Sequence, residues 1–384
     1  MAEPVAGSGG RLRILTIVGT RPEAIKLAPV IRALQQEPQA EVRVCSTGQH
    51  REMLDQALGL FGIRPDYDLR AMAHDQSPAQ VGAALLARIE PVLARERPHW
   101  VLVQGDTTTA ALAALAAYWR RARVGHVEAG LRSFDKWQPF PEEVNRRVIS
   151  AVADLHFAPT PRARDNLLAE GVPAGRVLVT GNPVIDALQW VAAQPWPPAT
   201  PELPPAALGR PGERLILVTA HRRENLGAPL EQICLALRDI AARHGQGVRI
   251  VYPVHLNPNV WGPVHRLLGG LPNVVLTPPL AYLPLLEVMK RAWLVLTDSG
   301  GIQEEAPGLG KPVLVLRQVT ERPEGVEAGT ARLVGTERRR IVAEVERLLS
   351  DAAAYERMAR AVNPYGDGHA SQRIARALLS EEGL

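Results

Sequence analysis

The 384-residue sequence contains little cysteine, few aromatic residues and no long apolar run. Its two cysteines, Cys45 and Cys234, lie far apart in a predicted strand and a predicted helix. This pattern is typical of buried thiols in a reducing compartment and argues against a disulfide framework. No apolar run reaches transmembrane length, and the N-terminus lacks the basic and apolar regions of a signal peptide. The sequence therefore predicts a cytoplasmic protein without membrane contact.

Familiar metal and cofactor motifs are also missing. Histidines and carboxylates are scattered without HExxH or clustered Cys/His spacing, so we predict no metal site. Neither G-x-G-x-x-G nor a Walker A motif is present, because GLGKP at 308–312 lacks the upstream glycine and the Ser/Thr. These absences argue against a dinucleotide cofactor and against ATP. Ser299 lies in D-S-G-G rather than G-x-S-x-G, which disfavours a hydrolase nucleophile.

Charge of one sign is not concentrated anywhere in the chain. The net charge of +4 and the pI near 9.3 slightly favour an anionic ligand, but basic and acidic residues are interleaved throughout. The one short basic run, Arg338 to Arg340, follows Glu337 and opens a predicted amphipathic helix. A solvated helix face is the better interpretation, so we predict no nucleic-acid binding.

The residues that are abundant indicate an α/β protein. Short apolar runs alternate with helix-period segments, which predicts parallel sheets covered on both faces. The length favours two domains. We place a Rossmann-like domain at 12–180 and a second at 213–366, with a ligand cleft between them. Segment 194–212 holds seven prolines and is interpreted as a linker or long surface loop. The stretch 370–384 is predicted to be helical and to cross back to the first domain.

Polar segments follow the predicted strands of the first half. GTRPEAIK at 19–26 offers a glycine turn, a helix N-terminus and the cations Arg21 and Lys26, which would suit a pyrophosphate. A turn with two solvated cations is an equally good interpretation. QGDTTT supplies Asp106, which either has a chemical role or caps the next helix. GHVEAG adds Glu128, and PFPEEVNR adds Glu142. Carboxylates that converge on one sheet edge would suit acid/base chemistry.

The second half repeats this arrangement. Ser299, Gly300 and Gly301 lie between a strand and a helix, where backbone N–H groups can bind phosphate oxygens. Glu305 could accept hydrogen bonds from a ribose diol, and Arg322 could bind a phosphate bidentately. An exposed helix glutamate and a solvated arginine are the alternatives for these last two residues.

Taken together, the motifs resemble those of non-hydrolysing bacterial UDP-N-acetylglucosamine 2-epimerases, from about Leu12 to Leu379. The similarity rests on these segments: GTRPEAIK, TGQHREMLDQ, QGDTTT, GHVEAGLRS, PEEVNRR, TGNPVIDAL, AHRREN, YPVHLNPNV, LTDSGGIQEEAPGLGKPVLVLR, TERPE and NPYGDG. The resemblance implies a two-domain B-type glycosyltransferase fold, a homodimer, no cofactor and a role in cell-envelope polysaccharide synthesis.

The resemblance also implies roles for single residues. Contacts to UDP are implied for Arg21, Lys26, His221, Ser299, Gly301, Glu305 and Arg322. Acid/base work is implied for Asp106, Glu128 and Glu142, and His221 matches a histidine linked to the leaving diphosphate. A second substrate molecule that acts as an allosteric activator would contact Gln49, Arg222 and His255. The chain departs from the family pattern at Ala220, where glycine is common, and at Leu285, where an aromatic residue often lies near the uracil.

The implied reaction is an elimination, since C2 of the sugar has no adjacent carbonyl to stabilise a carbanion. UDP leaves C1 while a carboxylate takes the C2 proton, and both return to give the epimer by way of 2-acetamidoglucal. The sequence leaves open which carboxylate is the base and which the acid. Three alternatives also remain open: a hydrolysing epimerase, a retaining glycosyltransferase and a non-catalytic nucleotide-sugar sensor.

Overall fold

The computed structural model describes residues 11–48, 51–71, 76–195 and 203–380, which form two units. The first unit contains the chain up to Ala187 and again from Gly366, and the second unit contains Leu188–Tyr365. Each unit has one parallel sheet with helices between its strands. The predicted fold class, two Rossmann-like α/β domains, is confirmed.

The first unit alternates strands and helices from its start. Its strands are β1 Leu12–Val18, β2 Ala40–Ser46, β3 Tyr67–Asp68, β4 Trp100–Gln104, β5 Arg123–Val127, β6 Leu155–Ala158 and β7 Val177–Val179. Its helices are α1 Arg21–Gln35, α2 Arg51–Leu60, α3 Pro78–Glu96, α4 Thr108–Trp119, α5 Glu142–Val152 and α6 Pro161–Ala169. Helix α7, Pro183–Ala192, contains the boundary between the units.

The second unit follows the same alternation. Its strands are β8 Arg214–Thr219, β9 Val248–Pro253, β10 Val274–Thr277, β11 Ala292–Thr297, β12 Val313–Val315 and β13 Ala331–Leu333. Its helices are α8 Ala228–His244, α9 Pro258–Leu268, α10 Tyr282–Arg291, α11 Gly300–Gly308, α12 Pro323–Glu327, α13 Arg338–Ser350 and α14 Ala352–Ala359. The last helix, α15 Ala370–Ser380, belongs to the first unit.

The strand order of each sheet reverses next to its first strand. The first sheet runs β3-β2-β1-β4-β5-β6-β7 and the second runs β10-β9-β8-β11-β12-β13. Order therefore reverses between β1 and β4 in one sheet and between β8 and β11 in the other. In open α/β sheets, ligands bind outside the carboxyl ends of the strands at such a point. The loops after these four strands, together with the helices that follow them, contain most of the residues that the sequence singles out.

The sheet interiors are apolar, as the sequence predicts. Every residue of β4 is buried, and the alanines of α4 pack on the sheet with little bulk. A Cβ built on Gly125 of β5 would lie 2.6 Å from the Leu102 side chain, so glycine is needed for this close packing. Among the described residues, no helix has the length and apolar character needed to cross a membrane.

The proline-rich segment 194–212 is partly described. Residues 196–202 lie outside the described ranges, while Leu203 and Ala207 are buried in the core of the second unit. Its interpretation as a linker stays a prediction. Helix α15 is held in the first unit by Asp186, whose carboxylate accepts the backbone N–H groups of Ala370 at 3.2 Å and Ser371 at 2.8 Å.

Candidate active site

The turn after β1 is filled by a carboxylate of the chain itself. Glu23 is buried in the first turn of α1, and its carboxylate accepts the N–H groups of Gly19 at 2.7 Å and Thr20 at 2.6 Å. Thr107 donates a further hydrogen bond to it. Burial raises the pKa of Glu23, while these hydrogen bonds act in the opposite direction. The expectation that this turn offers free N–H groups to a pyrophosphate is therefore wrong for Gly19 and Thr20.

Lys26 of α1 is directed at Glu128. Its ammonium group lies 2.8 Å and 2.6 Å from the two carboxylate oxygens of Glu128. Gln104 donates a side-chain hydrogen bond to the same carboxylate, and Asn182 donates another at 3.2 Å. Lys26 thus acts on a carboxylate of the first unit, and its predicted contact with a diphosphate stays a prediction. The same holds for the half-buried Arg21.

The backbone of Glu128 has an unusual conformation. Its φ of 66° lies in the left-handed region, which is costly for a residue other than glycine. Only 5% of the residue is exposed, so its surroundings hold it in place. Strained backbone of this kind is concentrated at functional sites. The conformation therefore supports a functional interpretation of Glu128.

Asp106 is anchored from α5. Its carboxylate accepts two hydrogen bonds from the Arg146 guanidinium, at 3.0 Å and 2.6 Å, and Asn145 donates to its backbone oxygen at 2.9 Å. The alternative role as a helix cap falls to its neighbour, because Thr107 accepts the N–H of Ala110 at 3.0 Å. Asp106 is thus available for chemistry with a fixed orientation.

A buried histidine supports the loop that carries Asp106. His126 Nε2 lies 2.7 Å from the carbonyl oxygen of Gly105. Burial lowers the pKa of His126 to about 4, so the ring is neutral near pH 7 and Nε2 donates the proton. Gly105 has a φ of 72°, and a Cβ built there would lie 3.8 Å from Glu128 Oε2. The loop that carries Asp106 and the Glu128 carboxylate therefore lie at the same sheet edge.

The two glutamates that open α5 differ sharply. Glu143 is fully buried and accepts hydrogen bonds from the N–H groups of Ser133 and Phe134 and from Arg146, at 3.0, 3.3 and 3.1 Å. Burial opposes its ionisation, but the Ser133 N–H and Arg146 hold the pKa of Glu143 below its ordinary value. Glu142 Oε2, by contrast, is buried and has no hydrogen-bond partner among the described residues.

In the second unit, a buried carboxylate organises the loop after β8. Asp298 Oδ2 accepts the N–H groups of His221 and Arg222, each at 2.8 Å, and the Asn225 side chain at 2.9 Å. The His221 ring stacks on His255 with centroids 5.1 Å apart. Burial lowers the pKa of His221, against the opposing effect of Asp298. The structure thus brings three of the predicted residues of this unit together.

The start of α11 carries a positive end without a side-chain cap. Ser299 is the N-cap residue, yet no side chain among the described residues caps the helix. The Arg322 guanidinium lies against Gly300, since a Cβ built there would be 3.3 Å from its central carbon. Arg322 is held by Glu304 at 2.7 Å. A helix N-terminus beside an arginine is suited to bind an anion.

Three further residues named in the sequence analysis are Glu305, Leu285 and Gln49. Glu305 is buried in α11, and a Cβ built on Gly301 would lie 3.4 Å from Glu305 Oε1. Leu285 is partly buried and packs against the core of the second unit. Gln49, a predicted activator contact, lies outside the described residues. Within the described ranges, no group of three His, Cys, Asp or Glu side chains is placed to hold a metal ion.

Several residues with a clear place in these networks were not singled out from the sequence. Among them are Glu23, Gln104, Asn182 and Asp298. The last three stand at or just after the ends of strands or just before a helix, next to motifs already under consideration. The strand-end rule that selected Asp106 and Ser299 could therefore have selected them as well.

Comparison with known proteins agrees with this architecture. The family described as UDP-N-acetylglucosamine 2-epimerase matches residues 32–379. The UDP-N-acetylglucosamine 2-epimerase of Escherichia coli O157:H7 is 55% identical over 370 residues, which cover 96% of this chain and 98% of that protein. The crystal structure of UDP-GlcNAc 2-epimerase from Neisseria meningitidis bound to UDP-GlcNAc has a TM-score of 0.86 and 45% identity, and covers 96% of this chain and 100% of that chain.

A more distant likeness concerns the fold alone. The glycosyltransferase SnogD from Streptomyces nogalater has a TM-score of 0.64 at 16% identity, with 97% of this chain and 100% of that chain covered. The E. coli relative, in contrast, is 55% identical over a similar share of the chain, and the family match extends over residues 32–379. The chain belongs to the UDP-N-acetylglucosamine 2-epimerase family.

Proposed function

We propose that the protein inverts C2 of the sugar in UDP-N-acetylglucosamine and so interconverts it with UDP-N-acetylmannosamine. The observation that carries this proposal is that Asp106 and Glu128 are each held by a cation at one sheet edge, and that Glu142 opens the helix whose Arg146 holds Asp106, in a chain of the 2-epimerase family. A carboxylate can take or give a proton when it is held in a fixed position. Inversion at C2 needs such a group on each face of the sugar.

The reaction proceeds by elimination and re-addition. A carboxylate takes the C2 proton, the C1–O bond breaks, and UDP leaves with the bonding electrons to give the C1=C2 double bond of 2-acetamidoglucal. UDP then attacks C1 while C2 receives a proton on the opposite face. Lys26 and Arg146 lie 2.6 Å from carboxylate oxygens of Glu128 and Asp106, respectively, and so fix the orientation of the two carboxylates before the first step.

The groups of the second unit stabilise the leaving diphosphate. Arg322 and the start of α11 at Ser299 to Gly301 supply positive charge and backbone N–H groups, and His221 adds a neutral ring that can donate a hydrogen bond. Hydrogen-bond donors that face the negative charge developing on a leaving group accelerate the departure of that group. Glu305 accepts the ribose hydroxyl groups.

We further propose a cytoplasmic homodimer that substrate itself activates. Arg222 and His255 support the activator proposal, because the Arg222 backbone is fixed by Asp298 and His255 stacks on His221. An activator bound to these residues would act directly on His221, the proposed contact of the diphosphate. The two buried cysteines, Cys45 and Cys234, are typical of a reducing compartment.

The test is incubation of the purified chain with UDP-N-acetylglucosamine alone, followed by NMR of the sugar and phosphorus nuclei. We expect UDP-N-acetylmannosamine to appear until an equilibrium mixture is reached from either epimer. An Asp106→Asn protein prepared in parallel controls for contaminating activity. Free N-acetylmannosamine and UDP as the main products would establish a hydrolysing epimerase instead. Turnover only after addition of an acceptor would establish a glycosyltransferase.

A further inference from the structure

The NPYGDG segment lies where the chain leaves the second unit, and its aromatic residue is fully engaged. Tyr365 is the last residue of that unit and is only 3% exposed. Its hydroxyl accepts the backbone N–H of Gly325 at 3.0 Å and donates to the backbone oxygen of Arg322 at 3.2 Å. A single hydroxyl thus joins the start of α12 to the residue that precedes it.

Asn363, two residues earlier, makes a matching contact to α11. Its side-chain amide donates to the backbone oxygen of Glu304 at 3.1 Å, and its oxygen accepts the N–H of Tyr365 at 3.1 Å. The Glu304 carboxylate in turn accepts from Arg322 Nε. Asn363 and Tyr365 therefore fix the backbone on both sides of the Arg322–Glu304 pair.

The local sequence is adapted to this contact. A Cβ built on Gly325 would lie 3.0 Å from the Tyr365 hydroxyl, so only glycine leaves room for the hydrogen bond as it stands. Burial raises the pKa of Tyr365, which keeps its hydroxyl protonated and able to donate.

Such an anchor is needed because of where the arginine lies. The Arg322 guanidinium rests against Gly300, at the N-terminus of α11, which carries the positive end of the helix dipole. A cation there is repelled until an anion binds. Without a fixed backbone the long side chain would gain both entropy and hydration by turning away. Glu304 and the Tyr365 anchor oppose that movement.

We propose that Tyr365 is a positioning residue for the diphosphate: its hydroxyl holds the Arg322 backbone so that the guanidinium faces the start of α11 before UDP binds. The inference rests on the proposed function, since it takes the anion to be the diphosphate of UDP. Preorganisation of this kind raises affinity by removing the cost of ordering the side chain on binding.

The experiment compares UDP with UMP binding to the full-length protein by calorimetry. Tyr365→Phe keeps the ring and removes the hydroxyl. We expect its Kd for UDP to rise about tenfold, because both hydrogen bonds that hold the backbone around Arg322 are lost, and its Kd for UMP to change by less than about twofold. Gly325→Ala, whose new Cβ displaces the hydroxyl, should show the same selectivity. Tyr355→Phe is the matched control, because that ring stacks on Trp293 in the same unit.

A merely structural role would give a different result. If Tyr365→Phe weakened UDP and UMP binding equally and lowered the melting temperature, Tyr365 would be a packing residue and the proposal would be wrong. UDP affinity equal to that of the unaltered protein in both variants would also overturn it. An unaltered protein that binds no UDP would overturn the proposed function together with this inference, and so is distinguishable from either outcome.

Discussion

In both units the sheet reverses its strand order beside the first strand, and in both a buried carboxylate takes two backbone N–H groups there. Glu23 does so in the first unit and Asp298 in the second. The surrounding charges are opposite. The first unit adds Glu128 and Asp106, each held by a cation from another element, whereas the second adds Arg322 beside a helix N-terminus that no side chain caps among the described residues.

This difference shows how one topology supports two kinds of chemistry. Carboxylates fixed by lysine or arginine keep a defined position, as proton transfer requires. A helix N-terminus beside an arginine attracts an anion. We therefore assign proton transfer to the first unit and diphosphate binding to the second, and variants in each unit should separate these two properties.

The largest effect is expected from the carboxylates of the first unit. Asp106→Asn, Glu128→Gln and Glu142→Gln should each lower turnover by on the order of 100-fold or more, the usual contribution of a general acid or base. UDP affinity should change far less, because the proposed diphosphate contacts lie in the other unit. Steady-state rates and calorimetry of the same preparations give both numbers.

A matched control is the exposed carboxylate Asp165, which pairs with its neighbour Arg164 on α6. Asp165→Asn should leave both rate and affinity unchanged. If the three variants instead lost UDP binding or unfolded, the carboxylates would be structural and the division of labour between the units would be wrong.

A smaller effect, on the opposite property, is expected from Arg322→Lys. Lysine keeps the charge but loses the planar, two-pronged donor geometry. The Kd for UDP should rise about tenfold, as for a weakened charge-assisted hydrogen bond. Calorimetry with UDP measures this, and Arg332→Lys, at an exposed arginine of the same unit, is the control. Unchanged UDP affinity in Arg322→Lys would contradict the assignment of diphosphate binding to the second unit.

The neighbours Glu142 and Glu143 allow a proposed catalytic carboxylate to be compared with a structural one within the same helix, α5. Glu143→Gln should lower the free energy of unfolding by roughly 1–3 kcal/mol, because a buried acceptor of three hydrogen bonds is altered. Glu142→Gln should leave stability nearly unchanged, since its buried oxygen has no partner among the described residues. Urea denaturation of both variants checks this. Equal losses of stability would show that Glu142 too is structural.

The smallest effect at neutral pH is expected from two buried histidines of the first unit, His126 and His156, which lie opposite each other on the neighbouring strands β5 and β6. Burial lowers the pKa of His126 to about 4 and that of His156 to about 3. Unfolded histidine titrates near about 6.5, so on acidification the unfolded chain binds protons first. The contribution of the neutral rings to the free energy of unfolding is complete above about pH 6.5. It is lost as the pH falls toward the folded pKa, by on the order of 3 kcal/mol for His126.

Denaturation at several pH values between about 7 and 5 measures the larger part of that loss. His126→Asn should be less stable throughout, but its stability should fall less steeply with pH. Identical slopes in the two proteins would show that His126 does not titrate as described, and would leave the loop of Asp106 without this support.

The α/β fold and the strand-end positions of Asp106, Glu128 and Ser299 could be predicted from the sequence because both follow from local patterns, whereas His221 was named from the family resemblance. An apolar run marks a strand, and parallel strands bring their carboxyl ends to one edge.

What the sequence did not reveal depends on side-chain direction and burial. Glu23 takes the N–H groups after β1, Lys26 turns to Glu128, and Thr107 rather than Asp106 caps α4. The possible hydrogen-bond partners in these three cases lie either far apart in the sequence or only one residue apart. Hydrophobic periodicity does not distinguish between such partners.

Reaction in D₂O tests the central claim most directly. If one carboxylate removes the C2 proton and another group returns a proton to the opposite face, deuterium should appear at C2 of both epimers, as NMR and mass spectrometry can show. Prolonged incubation should also release some 2-acetamidoglucal and UDP, because the intermediate pair is held without a covalent bond. A product that keeps its original C2 hydrogen, with no glycal detectable, would contradict the account.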